Sequence, residues 1–166
     1  MTTGKAALFT EAGKPMQVRE LPLPELEPGA ILVRVSLANI CGSDLHMWRG
    51  TFPAGGGKGP WILGHEMVGR VHQLGPGVTA DSLGQPLAQG DRVVYCYFTP
   101  CGHCYVCLRG NLAACRNKFG PKFALATEPP YFNGAYAEYY YVKPGQYVFK
   151  VHDDIPDEVA APVNCA

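Results

Sequence analysis

Short apolar stretches separated by turn-forming clusters run along this chain, a pattern of strands rather than of long helices. Residues 5–10 and 16–20 are predicted as strands around the turn Glu11-Ala12-Gly13-Lys14-Pro15. The proline-rich run over residues 21–29 excludes regular helix, and Pro28-Gly29 within it marks a turn. From Ile31 to Val35 the pattern reads as a half-buried strand, with Leu32, Arg34 and Ser36 as its outward set. Further strands are predicted from Met67 to the turn Gly75-Pro76-Gly77, and over residues 91–98, 134–142 and 147–151. A helix start is predicted at Asp154-Ile155-Pro156-Asp157-Glu158, with Asp154 as N-cap and the acids in the first turn. A shorter helix is predicted around residues 41–49. The expected architecture is mainly β, a small barrel with a metal-binding lobe inserted in one loop and few short helices.

Composition narrows the classes of function. The chain has 166 residues, 47% hydrophobic and 17% charged, which supports a packed domain and argues against disorder. The 20 Gly and 15 Pro suit a turn-rich β domain. Lys plus Arg and Asp plus Glu both number 14, so the formal charge is zero, and nucleic acid is not the expected partner. No apolar run approaches the roughly 20 residues of a membrane span. No secretory apolar region follows Met1-Thr2-Thr3-Gly4-Lys5, so a reducing cytoplasm is expected, where structural disulfides are rare. The seven cysteines are odd in number, so pairing could not consume them all. Their distribution points instead to metal ligation.

Cys101, Cys104, Cys107 and Cys115 form a C-x2-C-x2-C-x7-C pattern. Two residues between thiolates allow one turn to aim both sulfurs at a common point, and four sulfurs close a tetrahedral shell. A structural zinc is expected, in a lobe over about residues 99–118, contributing on the order of 10 kcal/mol to the order of a loop too small for a core of its own. An iron–sulfur cluster shares the opening C-x2-C-x2-C. Its fourth cysteine would follow after three residues and precede Pro, whereas Cys115 comes after seven and precedes Arg116. Reduced surface thiols are the plain alternative. His103 is expected to be a solvated neighbour, since four thiolates already fill the shell.

A second set is spread over the chain: Cys41-Gly42-Ser43-Asp44-Leu45-His46, then Gly64-His65-Glu66 within G-H-E-x2-G-x5-G-x2-V, and finally Cys165. With both sets in this order, the chain resembles the zinc-dependent alcohol dehydrogenases of the medium-chain dehydrogenase/reductase superfamily, over residues 5–165. The resemblance implies a GroES-like barrel and makes Cys41, His65 and Cys165 the ligands of a catalytic zinc. Two thiolates and one imidazole leave a position for water or substrate, the donor set by which alcohol dehydrogenases hold such an ion. The resemblance also implies that Glu66 approaches the metal during ligand exchange and that Asp44 holds the ligand histidine through its other ring nitrogen. Ser43 would take the alcohol proton and His46 would pass it to solvent, while Trp48 and Phe98 match pocket-lining regions. Gly42 stands where some members carry an Arg against the cofactor pyrophosphate.

The implied reaction converts a small alcohol to a ketone or aldehyde, or the reverse, by hydride transfer to NAD or NADP. No G-x-G-x-x-G follows a strand in these residues, and Gly55-Gly56-Gly57-Lys58-Gly59-Pro60 lacks the strand-to-helix setting. The Rossmann domain is therefore expected to be missing from this chain, which by itself would be inactive. The resemblance leaves a homo-oligomer open. The alternative is a stand-alone zinc-binding GroES-like module without catalytic activity. Cys96 is expected in the core, and Tyr136, Tyr139, Tyr140 and Tyr141 on a strand face.

Overall fold

A computed structural model of the chain describes residues 2–51, 59–117 and 125–165. Strand β1 (Thr3–Phe9) pairs antiparallel with β2 (Gln17–Pro22) on one side and β4 (Trp61–Ile62) on the other. A second antiparallel sheet is formed by β3 (Ile31–Ala38), β5 (Met67–Leu74), β6 (Arg92–Tyr95), β7 (Tyr139–Val142) and β8 (Val148–Lys150), in the order β7-β3-β5-β6-β8. The two sheets are joined through the segment entering β7: Ala7 N–H donates to the Tyr136 carbonyl and Glu138 N–H to the Lys5 carbonyl, both at 2.8 Å. The mainly β architecture with few short helices expected from the sequence is the one observed.

Leu32 departs from the predicted pattern. It is fully buried, packed with Ala6, Leu8, Ile62, Phe132 and Tyr141, while Ile31 and Val33 face a second cluster with Val71, Val93, Tyr95 and Val142. The start of β3 is thus covered on both faces, because β1 and its loops pack over the side that a single sheet would leave to water. The same holds for β7, where Tyr139 and Tyr141 enter one cluster and Tyr140 and Val142 the other. Tyr136 lies before that strand, and Cys96, predicted in the core, is half-buried beyond β6. The short β4 was not foreseen; two residues are too few for an alternation to register.

Helix α1 (Gly42–Trp48) occupies the predicted 41–49 stretch, with Cys41 as its N-cap. In the Cys-rich lobe lie α2 (Tyr105–Leu108) and a 3-10 turn, Leu112–Ala114. Residue 118 of the expected lobe, and residues 55–58 of the glycine loop, fall outside the described residues. The last helix, α3 (Asp157–Ala160), is followed by a 3-10 turn, Ala161–Asn164, and begins later than predicted, with Pro156 and not Asp154 at its N-cap. Two causes combine. Pro156 disfavours helical geometry at Ile155. The buried Arg92 guanidinium also draws the carbonyls of His152 and Ile155 toward it, at 3.1 and 2.7 Å, so the chain turns there instead of coiling. Among the described residues, no helix is long and apolar enough to cross a membrane.

Candidate metal centres and their hydrogen-bond frame

The four sulfurs of Cys101, Cys104, Cys107 and Cys115 lie within 4.8 Å of one another. Individual separations are 3.4 Å for Cys104–Cys107, 3.6 Å for Cys115–Cys101 and 3.9 Å for Cys104–Cys115. Four thiolates at zinc–sulfur bonds of about 2.3 Å in a tetrahedron would stand about 3.8 Å apart, so this cluster fits zinc. The backbone N–H of His103 holds the Cys101 thiol down to about 6, whereas burial pushes Cys107 up to about 12. A bound cation would bring all four to the thiolate form. His103 is exposed, as expected of a residue outside the shell.

The second cluster brings together Cys41, His65, Glu66 and Cys165, whose donor atoms also lie within 4.8 Å of one another. They come from three separate segments: the N-cap of α1, the loop preceding β5, and the turn after α3. Gly64 makes the first approach possible. Its φ of +87° is disfavoured for other residues, and a Cβ there would meet the Tyr136 ring at 2.7 Å.

Asp44 ties the cluster to the fold. Only 2% exposed, its carboxylate accepts from Cys41 N–H at 3.0 Å, Gly64 N–H at 3.2 Å and the Tyr136 hydroxyl at 2.8 Å, and faces His65 Nδ1 at 3.5 Å. One side chain therefore caps α1 and orients the imidazole, leaving Nε2 for a metal. Burial pushes the Asp44 carboxyl upward, but the His65 and Tyr136 hydrogen bonds outweigh it and leave it below the ordinary range. Asp44 in turn raises His65 against the opposing effect of burial. The Ser43 hydroxyl lowers the Cys41 thiol, so Ser43 stands beside that sulfur. Cys165 is exposed as a residue while its thiol turns inward, where burial and then Glu66 push it up to about 12.

The other sequence candidates divide. His46 is exposed and its Nδ1 lies 3.1 Å from Thr51 Oγ1; among the described residues no hydrogen bond joins it to Ser43. Trp48 donates its indole N–H to the Lys14 carbonyl at 2.8 Å and packs beside Phe9, Trp61 and Leu63. The Phe98 ring stands edge-on to Tyr97, 5.4 Å between centroids, and Tyr97 itself lies 5.2 Å from the His65 ring. Tyr97, Tyr136, Tyr95 and Asn164 carry no motif of their own, and sequence reading misses them. For Tyr136 the one available signal was its place in a tyrosine-rich run, which points equally to packing.

The alcohol dehydrogenase GroES-like domain family matches residues 27–153. An alcohol dehydrogenase from Geobacillus stearothermophilus is 37% identical over 163 residues, covering 98% of this chain and 44% of that protein. An L-threonine 3-dehydrogenase from Chelativorans sp. (strain BNC1) is 35% identical, covering 95% of this chain and 42% of its own length. Among solved structures, an alcohol dehydrogenase from Thermotoga maritima superposes with a TM-score of 0.89 at 30% identity, over 99% of this chain and 45% of that one. The chain thus spans less than half the length of the relatives it matches.

Proposed function

Since this chain belongs to the alcohol dehydrogenase GroES-like domain family, we propose that it supplies the zinc-holding catalytic part of a dehydrogenase that interconverts an alcohol with a ketone or aldehyde, using NAD or NADP. The observation that carries this is the convergence of Cys41, His65 and Cys165 beside Glu66, with Asp44 fixing the imidazole. Cys41, Cys165 and His65 would hold the zinc, which would supply Lewis acidity of the kind that brings the pKa of water from about 15.7 to about 7.

The chain's own residues then do four things. Asp44 keeps the proton of His65 on Nδ1, so that Nε2 remains a lone-pair donor. Glu66, only 6% exposed, holds a carboxylate within reach of the ligand atoms and can exchange with them. Ser43, beside Cys41, receives the alcohol proton; a hydroxyl is too weak a base to retain it and must hand it on. His46 sits at the exposed end with Thr51 and releases the proton to solvent. A bridging hydroxyl or water has to connect Ser43 with His46, since they share no direct bond. Phe98, with Tyr97, forms an apolar wall beside His65, and Trp48 supports the neighbouring surface.

Hydride acceptance belongs to a dinucleotide-binding domain that these residues do not provide, so the chain alone is expected to bind two zinc ions and turn over no alcohol with NAD or NADP. Zinc titration against a chromophoric chelator tests the first half: two equivalents bind, and Cys165→Ser loses only one. A chain holding one zinc, at the four-cysteine cluster, would favour the stand-alone module without catalytic activity. Dehydrogenase turnover by the pure chain would contradict the second half.

A further inference from the structure

Two of the three proposed ligands are tied directly to Asp44, but the third is not. Cys41 is the cap of α1 and is bonded to Asp44, and His65 is gripped by Asp44 at its ring. Cys165 follows the last 3-10 turn and is exposed, with φ of −130°. What lies upstream of it is well anchored: Ala160 and Ala161 are buried against Val68 and Val94, and Arg92 grips Ile155 before α3 and Asp157 at its start. None of these contacts reaches the cysteine.

Within its own turn Cys165 donates its N–H to the Pro162 carbonyl at 2.9 Å, and the nearest tie across to the site is Asn164. Its side-chain Nδ2 donates to the His65 carbonyl at 2.8 Å, joining the residue before one ligand to the backbone of another across 99 positions of sequence. The same carbonyl accepts the Tyr95 hydroxyl at 3.0 Å. Tyr95 is fully buried beside Tyr140, so it fixes this oxygen from the barrel side while Asn164 fastens the turn to it from the other. Both lone pairs of the carbonyl are thereby used.

We propose that Asn164 is a positioning residue, a latch that holds Cys165 against Cys41 and His65 and so makes it a ligand of the open site. This rests on the zinc-binding proposal above, but the placement of the thiol is a property of the polypeptide and is testable without metal. Asn164→Asp keeps the size of the side chain and removes its N–H donor, while Asn164→Ala removes the amide without adding charge.

The first measurement is made on the metal-free chain. Diamide, which takes two electrons and two protons from a pair of thiols, should form the Cys41–Cys165 disulfide in the unsubstituted chain about tenfold faster than in either Asn164 variant, read from the linked peptide by mass spectrometry. The second is made on the zinc-loaded chain. Iodoacetamide should label Cys165 about tenfold faster or more in the variants, with Cys41 and the four lobe cysteines protected as before. Those five thiols are the internal check that the variant is folded. Tyr95→Phe removes the other donor to the same carbonyl and should leave Cys165 protected.

Equal cross-linking and equal labelling of Cys165 in the variants and the unsubstituted chain would overturn the latch. So would release of Cys165 by Tyr95→Phe to the same extent, since the effect would then belong to the carbonyl and not to the turn. Should zinc protect neither Cys41 nor Cys165 in the unsubstituted chain, the metal proposal fails and the cross-linking rates alone decide on Asn164.

Discussion

Tyr136 donates its hydroxyl to Asp44 at 2.8 Å, linking the loop before β7 to the carboxylate that orients His65. The phenol is pushed well above its ordinary range, first by burial and then by the adjacent carboxylate, so it remains a donor throughout the working pH range. Its ring also packs on Gly64, so the residue supports the open site both by contact and by hydrogen bond.

Removing this donor should loosen one metal site and spare the other. Tyr136→Phe keeps the ring against Gly64 and deletes only the O–H. It is expected to weaken zinc at Cys41, His65 and Cys165 by about tenfold, at the lower end of the usual effect of such supporting hydrogen bonds. Chelator competition should show one weakened site and one unchanged, because among the described residues Tyr136 donates to Asp44 and the Asn39 carbonyl and not to the four-cysteine cluster.

The closed cluster should be separable in the opposite sense. Cys104→Ser removes one thiolate of four and is expected to abolish zinc binding in the lobe while the open site still fills. Limited proteolysis should then cleave within residues 99–117 and leave the barrel intact, since α2 and the 3-10 turn there are too short to stand without the metal. A colourless zinc-loaded protein is expected; visible charge-transfer bands would indicate iron–sulfur instead.

Arg92 should govern the stability of the last segment. Its guanidinium, 7% exposed, binds Asp157 at 2.6 Å and the carbonyls of His152 and Ile155. Arg92→Met would remove this donor from the Ile155 carbonyl and from Asp157, while the His152 carbonyl keeps the Ile155 N–H at 3.1 Å. With Asp157 partly open to water, a loss on the order of 2–3 kcal/mol is expected in urea unfolding. Hydrogen exchange should quicken first over residues 152–165.

Acid sensitivity should trace in part to Asp81. Burial would raise this carboxyl, but the N–H groups of Lys150, Gln85 and Leu83 and the Lys150 charge leave it lowered. A carboxyl lowered in the folded state contributes stability that is complete above its unfolded value of about 3.9 and is lost as pH falls through the lower folded value. Asp81→Asn is expected to cost about 1–3 kcal/mol at neutral pH, because an amide cannot accept at both positions. The variant's urea midpoint should therefore fall less steeply than that of the unsubstituted chain once pH drops below about 4.

Legibility of this protein from sequence follows the distance over which each feature is built. The four-cysteine cluster was readable because Cys101 through Cys115 need only a few local turns to converge, and the family order of Cys41, His65 and Cys165 identified the second set. The strands of the larger sheet were readable from their apolar runs, although burial of Leu32 was not, since a second packed sheet covers the face that alternation assigns to water. Asp154 was misread as a cap because the competing pull of Arg92 comes from a strand 62 positions earlier in the sequence.

By itself, then, the sequence determined the donor chemistry, the spacing of the closed cluster, and the mainly β class, all properties of residue type and of neighbours along the chain. Tertiary structure alone decided that Tyr136 reaches Asp44 across 92 positions, that Asn164 and Tyr95 meet on the His65 carbonyl, and that Trp48 is anchored to the Lys14 carbonyl. The reason is physical. A hydrogen bond between distant segments leaves no periodic trace in either one, and only packing the two sheets together brings its donor and acceptor within reach.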